Sequence, residues 1–249
     1  TSLIRHFCKL QNVTGNFKRQ TKNKKDMGLD MRPMGKPKPG FEKRYLEIFE
    51  MVSQDKIPQP SFLDKLKGKK LPTKEELLEE WLANQIQTYE TIKAPRVGRD
   101  KEADEWIKKK YLETDKSVSE SEFIKQHDGF YVIELAKETD GVPVYIALQQ
   151  DENVFRGQFM QDCVDLIGED LVNEAWETKL ADATLDYGQR LMTAADRIAN
   201  EKNLQFLKDQ RLPPDTDEDS IESKLHIVYS LAKWLIFYGK NGHGYEADF

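Results

Sequence analysis

The chain has 249 residues, of which 33% are charged and 38% are hydrophobic, and its formal net charge at pH 7 is −6. A chain of this length can bury roughly 70–75% of the surface that its unfolded form exposes, so its fold needs no disulfide or metal to hold it together. The aromatic content of 10% argues against wholesale disorder, and the acidic balance argues against nucleic acid as the main ligand.

The charge is unevenly distributed along the chain. Residues 1–26 hold one acidic side chain and seven basic ones, so this segment has a net charge of +6 and the rest of the chain has −12. The basic residues are Arg5, Lys9, Lys18, Arg19, Lys22, Lys24 and Lys25. We predict a loosely held basic arm over residues 1–26, the one segment suited to nucleic acid, and an acidic body suited to a basic protein partner.

The two cysteines do not form the pattern of a disulfide framework. Cys8 lies in the basic arm and Cys163 lies in a helical pattern far along the chain. Such sparse, widely separated cysteines are typical of proteins in a reducing compartment, so we expect a cytoplasmic location.

Glycine and proline supply six of the thirteen residues from 28 to 40, which predicts a strap over residues 27–40 rather than regular structure. Beyond the strap, apolar residues recur at three- and four-residue steps from Phe41 to Val52 and predict a helix. Two capping boxes follow, Thr73 with Glu76 and Ser119 with Glu122, and each predicts a helix start. Another amphipathic helix is predicted over residues 100–112.

A β-hairpin is predicted over residues 130–148. The runs Phe130 to Leu135 and Val142 to Leu148 are rich in β-branched and aromatic residues, and a polar turn that contains Gly141 separates them. An isolated hairpin is marginally stable, so we expect it to lie on helices or to pair with a further strand.

Helical periodicity returns from Asn153, where Phe155, Phe159 and Cys163 share a face, and it ends in the longest apolar run of the chain. We predict a helix over residues 225–238, with Trp234 on its apolar face and Gly239 as the residue just beyond its C-terminus. The run has about 14 residues and holds Lys233, too short for the roughly 20 apolar residues of a membrane span. A transmembrane helix is therefore rejected.

These patterns together predict an α+β fold that is mostly α-helical. Residues 41–249 are expected to form a single domain in which the Trp234 helix packs against the helices that contain Trp176 and Leu191, with the hairpin on one side.

An acidic loop over residues 213–222 offers Asp215, Asp217 and Asp219 at alternating positions, as a calcium-binding loop does. Ser220 stands where that loop needs a glycine, and His226 stands where it needs a bidentate carboxylate. The alternative is a solvated loop in which Asp219 or Ser220 caps the following helix. Metal binding and cofactor binding are not expected.

Three further residues are candidates for catalysis. His243 lies between two glycines and is followed by Asp248, so it could transfer a proton from an exposed tail, although a turn bonded to the backbone is the simpler interpretation. Cys163 could be a nucleophile with His226 or His243 as its base, but it shares an apolar helix face with Phe159, which favours a buried structural thiol.

Two functions from different classes remain. The first is a non-catalytic cytoplasmic protein whose acidic surface binds a basic partner, as inhibitors and immunity proteins do. The alternative is a small hydrolase or transferase with its site at the C-terminal Gly-His-Gly tail. The oligomeric state has no signal in the sequence.

Overall fold

A computed structural model describes residues 28–58, 71–92, 95–132, 135 and 153–249 of the chain. The basic arm over residues 1–26 and residues 136–148 of the predicted hairpin lie outside the described residues. Within the hairpin's first run, Tyr131 forms an isolated antiparallel bridge to Arg96. The hairpin itself therefore stays a prediction.

The fold is α+β and mostly helical, as predicted. The strands are β1 (Asp30–Pro33), β2 (Lys36–Pro37), β3 (Gln85–Ile86), β4 (Phe155–Arg156) and β5 (Tyr245–Asp248). The α-helices are α1 (Glu42–Ser53), α2 (Lys74–Ala83), α3 (Thr88–Ile92), α4 (Lys101–Leu112), α5 (Glu120–Gln126), α6 (Val164–Ile167), α7 (Glu169–Asn173), α8 (Ala181–Lys202) and α9 (Ile221–Lys240). Short 3₁₀ helices occupy Gly157–Cys163, Glu174–Trp176 and Gln205–Lys208.

The described residues fall into two compact units. Residues 35–86 belong to the first, and residues 28–34 together with 87–249 belong to the second. The domain boundaries predicted from the sequence stay predictions.

The first unit is built around one aromatic pair. The rings of Tyr45 on α1 and Trp81 on α2 stack with centroids 4.7 Å apart, and the Trp81 indole donates a hydrogen bond to the Tyr45 carbonyl at 3.2 Å. The Tyr45 hydroxyl in turn donates to the Gly35 carbonyl at 2.9 Å. Since buried aromatic side chains with satisfied polar atoms contribute most to a small core, this pair holds α1 and α2 together.

The second unit contains a three-stranded antiparallel sheet in the order β4-β1-β5. Met31 lies opposite Phe155 on one side and Ala247 on the other. The predicted strap thus contains the central strand of this sheet. Along this strand the fully buried Leu29 and Met31 alternate with Asp30 and Arg32, which form ion pairs. The last residues of the chain form the other edge of the sheet rather than a free tail.

The main core of the second unit lies between α8 and α9. Helix α9 runs longer than predicted, and Gly239 lies inside it rather than beyond its end. The residue that takes a left-handed conformation is Gly242, with φ of 82°. Gly239 instead allows α8 to approach, since a β-carbon there would lie 2.8 Å from the backbone nitrogen of Leu185.

Local signals for helix starts were mostly correct. Thr73 and Glu76 form the predicted reciprocal capping box at α2, and the Ser119 hydroxyl accepts a hydrogen bond from the Glu122 amide at the start of α5. The helical interpretation of Phe155 was wrong, since this residue begins β4. In the part of the chain that the structure describes, no helix is both long and apolar enough to cross a membrane.

Candidate functional site

The imidazole of His243 is buried and held by two elements of the second unit. Its Nδ1 lies 2.8 Å from the carbonyl oxygen of Met34, and its Nε2 lies 2.9 Å from the hydroxyl of Thr91. A carbonyl only accepts hydrogen bonds, so Nδ1 carries a proton and donates it to the Met34 carbonyl. The other ring nitrogen, Nε2, lies within hydrogen-bond distance of the Thr91 hydroxyl. The side chain has 0% exposure and ties the chain before β5 to the residue after β1 and to α3.

The acidic and phenolic groups near His243 in sequence have other partners. The Tyr245 hydroxyl donates to the Glu174 carbonyl at 3.0 Å, and the Asp248 carboxylate lies 3.6 Å from the Arg32 guanidinium. Asp248 follows His243 by five positions, and five steps of extended chain correspond to roughly 16 Å. The structure does not assemble these residues into one constellation.

Cys163 is a structural thiol in this fold. Its sulfur is buried and lies within hydrogen-bond distance of the carbonyl oxygens of Phe159, at 3.7 Å, and Lys224, at 3.5 Å. Burial raises the pKa of the Cys163 thiol, and the nearby Asp162 carboxylate adds to this. Because the thiolate is the nucleophilic form, a raised pKa removes the reactivity that a catalytic cysteine needs.

We expect His243→Ala to lower the free energy of unfolding by about 1–3 kcal/mol, since the buried Met34 carbonyl would lose its donor. The matched control is His127→Ala. The His127 imidazole also meets a backbone carbonyl, that of Phe123 at 2.8 Å, but it is half-buried, so water can replace it. Urea unfolding of both variants gives the comparison. An unchanged stability of His243→Ala, with loss of turnover of a model ester, would instead support the hydrolase alternative.

The acidic loop does not gather its carboxylates around a point. Asp215, Asp217 and Asp219 are all exposed, and no group of three or more candidate metal ligands occurs among the described residues. Ser220 caps α9, because its hydroxyl accepts a hydrogen bond from the Ser223 amide at 3.1 Å. Of the two predicted capping residues, the structure therefore assigns the cap to Ser220.

The same loop belongs to a surface that combines negative charge with exposed apolar side chains. We define the 206–222 surface as Phe206, Leu212 and Ile221, which are 60%, 65% and 39% exposed, together with the acidic residues between them. Residues 209–222 hold six acidic side chains and one basic one, a net charge of −5. Among these, Asp215, Asp217, Glu218 and Glu222 form no ion pair with another residue in the described ranges.

The 206–222 surface is anchored on α9. Leu207 is fully buried in the main core, so its neighbour Phe206 is turned outward. The imidazole of His226 on α9 lies 3.1 Å from the carbonyl oxygen of Gln210, and the Gln210 side chain donates to the Leu212 carbonyl at 2.8 Å. The segment is thus attached to α9 at two places, through the hydrogen bond between Gln210 and His226 and through the cap that Ser220 forms at the helix start.

A polar cluster lies behind the anchored segment. Asp196 on α8 accepts hydrogen bonds from Lys208, at 2.8 Å, and from the Tyr229 hydroxyl, at 3.0 Å. Burial lowers the pKa of His226 and also that of Lys233. Asp196, Lys208 and Tyr229 satisfy one another and stabilise the segment, whereas the acidic side chains Asp215, Asp217 and Glu218 are exposed.

Sequence reasoning found the acidic loop but missed the exposed apolar residues. Phe206 and Leu212 carry no signal of exposure, because an apolar side chain in a short irregular segment is as compatible with the core as with the surface. One available signal was the pair Pro213 and Pro214, which directly follows Leu212. Two prolines prevent the chain from continuing as a helix after Leu212.

Comparisons of this chain with protein-family models, with curated proteins and with solved structures found no match.

Proposed function

We propose that this chain is a non-catalytic cytoplasmic protein that binds a basic protein partner through its acidic surface, in the manner of an inhibitor or immunity protein. The observation that carries the proposal is the 206–222 surface, where negative side chains without an ion-pair partner among the described residues alternate along the chain with exposed apolar ones. Protein interfaces typically combine an apolar centre with a polar rim of complementary charge.

The contacts of the catalytic candidates add support. The imidazole of His243 is engaged at both ring nitrogens, and the thiol of Cys163 lies within hydrogen-bond distance of two carbonyls. A proton-transfer group or nucleophile must reach a substrate, and both side chains are fully buried. The hydrolase or transferase alternative has no comparable observation in its favour.

We expect the triple variant Asp215→Asn, Asp217→Asn, Glu218→Gln to bind a fluorescent oligolysine peptide about tenfold more weakly than the unmodified chain does. Three solvent-facing negative charges would be lost, each contributing a modest Coulomb attraction that adds over neighbouring sites. Fluorescence anisotropy at low and moderate salt measures the affinity. Binding to the unmodified chain should weaken as salt rises, since salt screens exposed charges.

The matched control neutralises three exposed carboxylates elsewhere with Glu75→Gln, Glu79→Gln and Glu102→Gln. This control changes the net charge by the same amount as the first triple variant. Because its three carboxylates lie outside the 206–222 surface, it should leave most of the affinity for oligolysine intact. Equal weakening by both triple variants would mean that only the net charge matters and would contradict the assignment of binding to the 206–222 surface. Binding that does not change with salt would contradict the proposal as well.

A further inference from the structure

We propose that the 206–222 surface is the docking site for a basic amphipathic helix of the partner, whose apolar face packs on Phe206, Leu212 and Ile221 while its lysines and arginines meet the acidic loop. This inference rests on the proposed function and names the partner's contacting element and its chemistry. It differs from a purely electrostatic contact because it requires apolar side chains from the partner.

The exposed apolar side chains are concentrated in one segment of the chain. Among the described residues, five large apolar side chains are exposed: Leu46, Leu112, Phe206, Leu212 and Ile221. Single exposed apolar residues are normal, but a group in one segment marks an interaction surface. Three of the five lie between residues 206 and 221.

One hydrogen bond attaches the segment that carries Phe206 and Leu212 to the helix that carries Ile221. Gln210, bonded to His226, is four residues after Phe206 and two before Leu212, and a four-residue segment spans at most about 14 Å. Ile221 is five residues before His226 on α9, about 7.5 Å along the helix axis. Phe206 therefore lies at most about 14 Å and Leu212 at most about 7 Å from Gln210, while Ile221 lies in the first turn of the helix to which Gln210 is bonded.

That spacing suits a helix. Anchors at positions i, i+4 and i+7 of an amphipathic helix span about 10 Å, and three turns span about 16 Å. A surface attached at both ends also needs little ordering when it binds, which favours affinity.

The charge of the same segment selects a basic partner element. With a net charge of −5 over residues 209–222, an acidic or phosphate-bearing ligand would be repelled, and phosphate contacts require a positive surface. A lysine-rich face on the docked helix would lie against Asp215, Asp217 and Glu218 as the rim of the interface. The apolar anchors would contribute most of the affinity at its centre.

The test uses the full chain and two synthetic peptides with the same leucine and lysine composition. In one peptide the leucines follow helical i, i+3, i+4, i+7 spacing, and in the other they are scrambled so that no apolar face forms. We expect the amphipathic peptide to bind at least tenfold more tightly by calorimetry. The variant Phe206→Ser, Leu212→Ser should lose about tenfold of that affinity and show an unchanged thermal melting curve.

The matched control is Leu46→Ser, Leu112→Ser, which removes two exposed apolar side chains elsewhere and should leave the affinity unchanged. Equal binding of both peptides, or equal loss in both double variants, would overturn the docking inference while leaving an electrostatic interaction protein in place. If neither peptide nor oligolysine binds, the proposed function itself fails. The outcomes thus separate the inference from its premise.

Discussion

Replacing Trp234 by alanine is expected to lower the free energy of unfolding by about 3–5 kcal/mol, the range for truncating a buried tryptophan. Trp234 is fully buried on α9. Its ring lies with its centroid 4.8 Å from that of Tyr238 and 6.2 Å from that of Tyr245. Its indole nitrogen also donates to the Asn153 carbonyl at 3.0 Å. The substitution therefore creates a cavity and leaves a buried carbonyl without its donor.

Urea unfolding followed by far-UV circular dichroism measures this loss, and Trp106→Ala is the matched control. Trp106 is half-buried on α4, where it packs at the edge of a smaller core formed by Val97, Ala103, Ile107 and Val132. We expect Trp106→Ala to lower the free energy of unfolding by less than half as much as Trp234→Ala, because part of the Trp106 side chain is already in contact with water. Equal losses in the two variants would show that Trp234 is not the centre of the larger core.

Replacing Gly239 by alanine is expected to destabilise the protein by about 3 kcal/mol, the upper part of the range for overpacking. Propensity alone predicts the opposite sign, since alanine in a helix interior is favoured over glycine by about 1 kcal/mol. The contact decides the sign. A β-carbon at position 239 would lie 2.8 Å from the nitrogen and 2.9 Å from the α-carbon of Leu185 on α8, and backbone atoms cannot rotate away.

The two helices would have to separate, which disturbs the whole contact between α8 and α9. Gly188 makes the reciprocal approach, since a β-carbon there would lie 3.0 Å from the Ile236 nitrogen. The control is Gly28→Ala, where the nearest atom to an added β-carbon is a glutamine side-chain oxygen at an ordinary 3.4 Å. Thermal unfolding of both variants gives the comparison, and a stabilised Gly239→Ala would refute the close approach.

Several features of the fold could be predicted because their cause is local. The capping box at Thr73 depends on atoms three residues apart in sequence, and the Ser220 cap depends on the amide of Ser223. The amphipathic stripes of α1, α4 and α9 follow from helical periodicity alone. The burial of Cys163 followed from its place beside Phe159 on an apolar face.

Other features depend on residues that are distant in sequence. The sequence did not reveal that the strap contains the central strand of a sheet, because the partner strands β4 and β5 lie more than a hundred residues away along the chain. The sequence left open whether the imidazole of His243 is exposed or bonded to the backbone, since its hydrogen-bond partners Met34 and Thr91 belong to distant segments. Gly239 looked like a helix end because the proximity of Leu185 cannot be inferred from α9.

The sequence by itself determined a mostly helical α+β protein with a basic first segment, an acidic body and well-capped helices, since composition, periodicity and capping act within a few residues. Tertiary structure decided which side chains are accessible. It buried His243 between distant segments and exposed Phe206 and Leu212, because burial depends on which distant elements cover a residue. The candidate surface for a partner is therefore a property of the fold rather than of any motif.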